Sequence, residues 1–187
     1  MKEIMTFTFK KLAIPDVIEI QPNVFPDQRG FFLESFKESD FVSNGINEKF
    51  IQDNISHSVI GTIRGLHFQK NPKAQAKLVT VIKGKIFDVA VDIRRNSPTY
   101  GKWVSQTLSS DEHNLLFVPV GFAHGFCVLS GEADVHYKVS NEYSPEHEDG
   151  IVWNDPSLNI SWPLTDVIVS DNDKKLPSLE NLDNSFE

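Results

Sequence analysis

Apolar and polar residues alternate with a period of two along most of this chain, and helical periodicity is scarce. The run "KIFDVAVDI" alternates most cleanly, with Phe87, Val89, Val91 and Ile93 on one face and Ile86, Asp88, Ala90 and Asp92 on the other. With the preceding "KLVTVIKG" it reads as two strands joined by a tight turn at Lys83-Gly84. Further strands are expected at "FFLESF", "FIQDNISHSV", "GTIRGLHFQ", "NLLFVPV", "AHGFCVLS" and "ADVHYKVS". "KESDFVSNG" reads as a short helix with a glycine stop, and the tail "KLPSLENLDNSFE" as Pro-interrupted, with room for a short helix and a frayed end from about residue 179. Short strands at close spacing, with 14 phenylalanines to fill an interior, predict an all-β sandwich or barrel in one domain spanning 1–187.

Composition narrows the function. A net charge of −8 argues against nucleic acid or an anionic membrane as partner, so any anionic ligand must meet local cations, and arginine occurs only at positions 29, 64, 94 and 95. The single cysteine, Cys127, excludes an internal disulfide and a thiolate metal cluster. No run approaches a membrane span, and "MKEIMTFTFKK" carries Glu3 and no apolar core, so no signal peptide and a cytoplasmic location are expected.

Six histidines raise the question of metal. Gly61 and His67 in "GTIRGLHFQKNPKA", with Pro119, Gly121 and His124 in "PVGFAH", resemble the two halves of the cupin metal signature. Gln69 stands where the second histidine belongs, and Lys73 and Ala74 where a glutamate belongs. Two imidazoles and an amide fall short of the three good ligands that a catalytic zinc or iron site uses, so no metal is expected. His67 shares its strand face with Gln69, and Arg64 precedes it by three residues. Lys77 opens a row with Val79 and Val81, and a long cation heading an inward row suits a developing negative charge. Gln52 and Asn54 share a face; so do Val135, Tyr137 and Val139, opposite His136 and Lys138. Tyr137 reads either as core with a satisfied hydroxyl or, if it faces a polar cavity, as a proton donor.

In their order, "DQRGFFLESF", "FIQDNISHS", "IRGLHFQ", "QAKLVTVIKGKIFDVAVDIR", "PTYGKW", "FVPVGFAHGF", "YKVSNEYSPEHEDGIVWNDP" and "ISWPL" closely resemble the dTDP-4-dehydrorhamnose 3,5-epimerases, over roughly residues 6–178. The resemblance implies a cupin-like jelly roll without metal or other cofactor. It also implies a homodimer with strand exchange and a dTDP-linked 4-keto-6-deoxy sugar as substrate. It makes His67 the base that removes the proton beside the ketone, Asp173 of "SDND" its orienting carboxylate, and Tyr137 the proton donor on the opposite sugar face. Lys77 and Arg64 become cations near the ketone oxygen and phosphates, and His124 lines the site. Arg29, Glu34, Gln52, Asp53, Asn54 and Glu148 become nucleotide-sugar contacts, and Tyr143 an aromatic that stacks on the base. The family's basic residue before the motif aspartate is Asn172 here, which leaves Asp171 as the alternative partner for His67.

The chemistry suits these groups. A proton α to a carbonyl is a poor acid, so the enolate must be stabilised while a base acts. A free imidazole, pKa about 6.5, is mostly neutral at pH 7, and a free phenol, pKa about 10, is protonated and can donate. Two other readings stand beside it: a single-carbon epimerase on a related nucleotide-linked sugar, which these motifs do not separate because it shares the base, the acid and the barrel, and a metal-dependent or non-catalytic cupin, the former disfavoured by Gln69.

Overall fold

The computed structural model describes residues 6–183 and 186–187. Its elements in chain order begin with β1 (Phe7–Lys11), β2 (Ile18–Pro22), β3 (Val24–Asp27), β4 (Gly30–Leu33) and the helix α1 (Glu38–Ser43). There follow β5 (Gln52–Val59), β6 (Thr62–Gln69), β7 (Lys77–Lys83), β8 (Lys85–Asp92) and β9 (Trp103–Ser109). The last are β10 (Leu115–Val118), β11 (Phe122–Val128), β12 (Glu132–Val139), β13 (Glu148–Gly150) and β14 (Ile168–Val169), with 3-10 turns at Asp173–Lys175 and Leu179–Asn181. The expected strands all form, though "FFLESF" pairs only as far as Leu33; β1, β2, β3, β9, β13 and β14 add to them. The helix stops where its glycine predicts.

Two sheets face one another. One runs β1-β2-β10-β7-β12-β5; the other runs β13-β6-β11-β8-β9, with β14 added to β6. This cupin-like sandwich is filled by Val79, Val81 and Val135 from the first sheet against Ile86, Ala90, Phe126 and Val128 from the second. The turn at Lys83-Gly84 is real, but it is a corner and not a hairpin. Strand β7 pairs with β10 and β12, whereas β8 crosses to the other sheet and pairs with β11 and β9. Gly84 makes the corner at φ +83°.

The alternation of "KIFDVAVDI" divides its residues between the two packed faces of the second sheet. Val89, Val91 and Ile93 point outward, under a cover formed by the C-terminal segments. Ile86, Asp88 and Ala90 face the interior, so the face that carries acids is the inner one. The C-terminal cover also corrects the frayed tail: Leu182 and Phe186 are buried beside Leu66 and Phe68. Residues 184 and 185 of that tail lie outside the described residues. The opposite sheet is closed by a third cluster, in which α1 places Phe41 against Phe7, Ile20 and Leu78.

The edge of β6 determines the site. Strand β13 pairs with its C-terminal half, from Gln69 to His67, and β14 with its N-terminal half, at Thr62 and Ile63. Between these partners the chain bulges: Arg64 lies opposite Phe126 and His67 opposite His124, so three steps on β6 match two on β11. The bulge centres on Gly65, at φ +123°. A Cβ there would stand 2.6 Å from the Gly125 Cα and 2.7 Å from the His124 carbonyl oxygen. Only glycine fits both the angle and the space. Gly65→Ala is expected to destabilise the protein by roughly 2 kcal/mol or more, read as a lower urea midpoint. An unchanged midpoint would show that the bulge relaxes freely.

Candidate active site

The bulge leaves Gly65 N–H without a ladder partner at the gap between β13 and β14. The 3-10 turn that follows β14 brings Asp173 there, and its Oδ2 accepts from Gly65 N at 3.1 Å. Its Oδ1 lies 2.9 Å from His67 Nε2. Burial works against a charged Asp173, but the bonds from His67, Gly65 N–H and Ser170 outweigh it and hold the carboxyl below the usual range. An ionised Asp173 requires Nε2 to carry the proton, which leaves Nδ1 of His67 as the free base. Asp171, the alternative partner, points outward with its side chain 86% exposed and pairs with Lys174. Asn172 is the residue that leads into the turn carrying Asp173.

His67 opens onto a cavity of about 250 Å³ between the sheets. Facing it from the first sheet are Tyr137 on β12, Lys77 on β7, and Gln52 and Asn54 on β5; Tyr143 and Glu148 stand at the rim. Lys77 Nζ donates to the His67 carbonyl at 3.2 Å, and burial pushes its pKa down to about 8, against the opposing charges of Asp88 and Glu148. Burial pushes the Tyr137 phenol up, against Arg64, so it is protonated at neutral pH. Gln52 donates to Asn54 Oδ1 at 2.9 Å and accepts from Tyr143 N at 2.8 Å; Tyr143 OH donates to Glu148 at 2.6 Å. Arg64, brought to the His67 side by the bulge, reaches across to Ser58 Oγ and the His57 carbonyl of β5.

Three expected contacts fall elsewhere in this protomer. Asp53 lies on the other face of β5, one step out of phase with Gln52 and Asn54, and pairs with Lys138 at 2.8 Å. Arg29 is exposed at the turn between β3 and β4 and bonds Asp27; Glu34 follows that ribbon, and neither lines the cavity. His124 sits behind His67, buried, with Nε2 2.9 Å from Asp88 Oδ1. Among the described residues no three His, Cys, Asp or Glu side chains cluster as a metal set. Gln69, at the second ligand position, spends its amide on structure: Nε2 donates to the carbonyls of Lys73 and Glu142, and Oε1 accepts from Ser144 N.

The family model for dTDP-4-dehydrorhamnose 3,5-epimerase matches residues 11–181. The enzyme of that name from Shigella flexneri is 52% identical over 164 residues, covering 87% of this chain and 91% of its own. Its counterpart from Methanothermobacter thermautotrophicus is 50% identical over 171 residues, covering 90% and 92%. The crystal structure of the epimerase from Legionella pneumophila in complex with dTDP-4-keto-L-rhamnose superposes with a TM-score of 0.92 at 44% identity, covering 95% of both chains.

This chain belongs to the dTDP-4-dehydrorhamnose 3,5-epimerase family.

In this epimerase the residues that sequence reasoning missed are Asp88, which supports His124, and Gln75, which lines the cavity and donates to the Asn141 carbonyl. Asp88 was hidden because an acid alternating with valines reads as a solvent face. Among the described residues no helix is long and apolar enough to cross a membrane. The depressed pKa of Asp173 has a consequence for stability. Its bonds contribute in full above the unfolded carboxyl's pKa of about 3.9 and are lost as pH falls through the lower folded value. Asp173→Asn should therefore be less stable than wild type at pH 5, and the margin should narrow below about pH 4. Urea midpoints that keep the same margin down to pH 3 would contradict this.

Proposed function

We infer that this protein inverts C3 and C5 of dTDP-4-dehydro-6-deoxy-D-glucose, giving dTDP-4-dehydro-L-rhamnose for dTDP-L-rhamnose synthesis. The observation that carries the reading is the placement of a partly buried His–Asp pair at one sheet and of a protonated tyrosine and a lysine on the other, around one cavity. In each inversion His67 Nδ1 takes the proton from the carbon beside the C4 ketone, and the C–H electron pair moves into an enolate. The Lys77 ammonium holds the enolate oxygen. The Tyr137 hydroxyl then returns a proton to the opposite face. The imidazolium and tyrosinate so formed exchange protons with water, which leaves both ready for the second carbon. Asp173 fixes the tautomer of His67 and stabilises the imidazolium.

At the rim, Tyr143, Glu148, Gln52 and Asn54 form the hydrogen-bonded shelf for the nucleotide end, and Arg64 supplies the positive charge for its phosphates. Incubation with dTDP-4-dehydro-6-deoxy-D-glucose in D₂O should place deuterium at both C3 and C5 of an inverted product, followed by NMR. Labelling at one carbon only would make it a single-site epimerase, and labelling at neither would refute the reading. His67→Ala should lower the rate by roughly 10² or more. Tyr137→Phe should exchange the α protons of recovered substrate faster than it inverts them, because deprotonation survives and delivery to the far face does not. Equal loss of exchange and inversion would remove Tyr137 from the donor role.

The working form is a homodimer that exchanges strands. Among the described residues the ribbon of β3 and β4 pairs with no other strand, and it exposes Phe25, Phe31 and Phe32, the last at 65%. An open apolar ribbon of two strands is stabilised by a further partner. Seated on a second protomer, it brings Arg29 and Glu34 to that protomer's cavity. Light scattering should report twice 21.2 kDa; an active monomer would refute the dimer.

A further inference from the structure

Tyr143 sits on a segment whose main chain pairs with side chains. The ladder of β12 ends just past the strand, where Ser140 N donates to the Ala76 carbonyl. Backbone pairing resumes at Ser144, whose carbonyl accepts from His147 N and Glu148 N. Between these points, among the described residues, no backbone group bonds to another. Side-chain amides take over there, as buried or half-buried peptide groups require. Gln75 Nε2 donates to the Asn141 carbonyl at 2.7 Å, and Gln69 Nε2 to the Glu142 carbonyl at 3.2 Å. Tyr143 N donates to Gln52 Oε1 at 2.8 Å, and Ser144 N to Gln69 Oε1 at 2.7 Å. Three glutamines, on β5, on β6 and just before β7, thus fix four consecutive residues.

Gln69 is the centre of this clamp. It is 3% exposed, and its Nε2 also donates to the Lys73 carbonyl at 2.6 Å. One side chain therefore ties the loop before β7 to the segment after β12. An amide supplies two N–H donors and an acceptor, a set that neither a neutral imidazole nor a carboxylate has. The segment has little else to hold it. Tyr143 is 52% exposed and belongs to no hydrophobic cluster of the described residues; its hydroxyl bonds Glu148. Gln69 also lies two residues from His67 on the same strand face, roughly 7 Å along β6, and directly opposite Glu148. The clamp thus sets the rim relative to the base. His67 itself is anchored elsewhere, through Asp173 to Gly65 and Ser170.

We propose that Gln69 is a positioning residue for the nucleotide: with Gln52 and Gln75 it clamps residues 141–144 and so presents Tyr143 and Glu148 to a nucleoside diphosphate. The proposal rests on the reading of Tyr143 given above. Its test is dTDP binding by calorimetry, with steady-state kinetics, for wild type, Gln69→Met, Tyr143→Ala and the double variant. Methionine keeps the length of the side chain and loses its bonds to Lys73, Glu142 and Ser144. Gln69→Met should weaken dTDP and raise KM about tenfold. Its kcat should stay within about twofold of wild type, because the His67–Asp173 pair does not lean on this segment. Tyr143→Ala should also weaken dTDP about tenfold. Adding Gln69→Met to it should cost less than about twofold more, since the ring that the clamp presents is gone. A residue that only stabilises the fold would cost the same in both backgrounds, and that result overturns the proposal. So does a Gln69→Met enzyme that binds dTDP like wild type, or one that loses kcat and keeps KM. If Gln69→Met does not fold, Gln75→Leu decides. It removes one clamp bond at a half-buried position, and should weaken dTDP about threefold with Tyr143 present and not in Tyr143→Ala. An equal effect in both backgrounds, or none in either, overturns the proposal. A Tyr143→Ala variant that binds dTDP like wild type refutes the reading of Tyr143 and the proposal with it, whereas a weakened Tyr143→Ala beside an unaffected Gln69→Met refutes the proposal alone.

Discussion

The site depends on one carboxylate that serves two masters. Asp173 takes a backbone N–H from Gly65 with one oxygen and the His67 ring with the other. The first bond ties the C-terminal segment to the gap in the edge of β6; the second fixes the orientation and tautomer of the base. Fold and chemistry are therefore set by the same group. The gap exists because β13 and β14 share the edge of β6 without meeting, and the 3-10 turn after β14 is just long enough to fill it.

Around this anchor the interior divides into two regions. One end of the sandwich is packed with valine, leucine and phenylalanine and excludes water. The other keeps its polar groups on short, rigid strands: His67 and Arg64 on one sheet, Lys77, Tyr137, Gln52 and Asn54 on the other. Strand placement limits how far these side chains can wander, and the apolar end keeps the local dielectric low, so each charge acts strongly. That is a suitable setting for a reaction that moves one proton and makes one transient anion.

Much of this was legible in the sequence. The rows headed by Lys77 and containing Tyr137 point inward as their valine neighbours require, and Gln52 and Asn54 reach the cavity together. Period-two patterns record which residues share a face, though not which strand lies alongside. Hence the turn at Gly84 was visible but its role as a corner was not, and nothing in the alternation of β8 said which of its faces turns inward. Asp53 was included through its neighbours' resemblance, and alternation alone would have placed it on the opposite face. The buried tail was missed because its two apolar residues, Leu182 and Phe186, are too widely spaced to make a pattern.

The bulge at Gly65 has one residue more than a regular ladder would need to bring Arg64 and His67 to the same side. What the extra residue adds is a free peptide N–H, and the protein uses it to hold Asp173. A support provided by the main chain has an unusual place in the evolution of the site. No change of side chain deletes it, since every residue except proline brings the same N–H. Half of the scaffold behind the catalytic histidine thus keeps its donor group, though not its geometry, through any point mutation except to proline. Drift is checked there by the space that only glycine fits, while the other half stands exposed to selection at a single codon, that of Asp173.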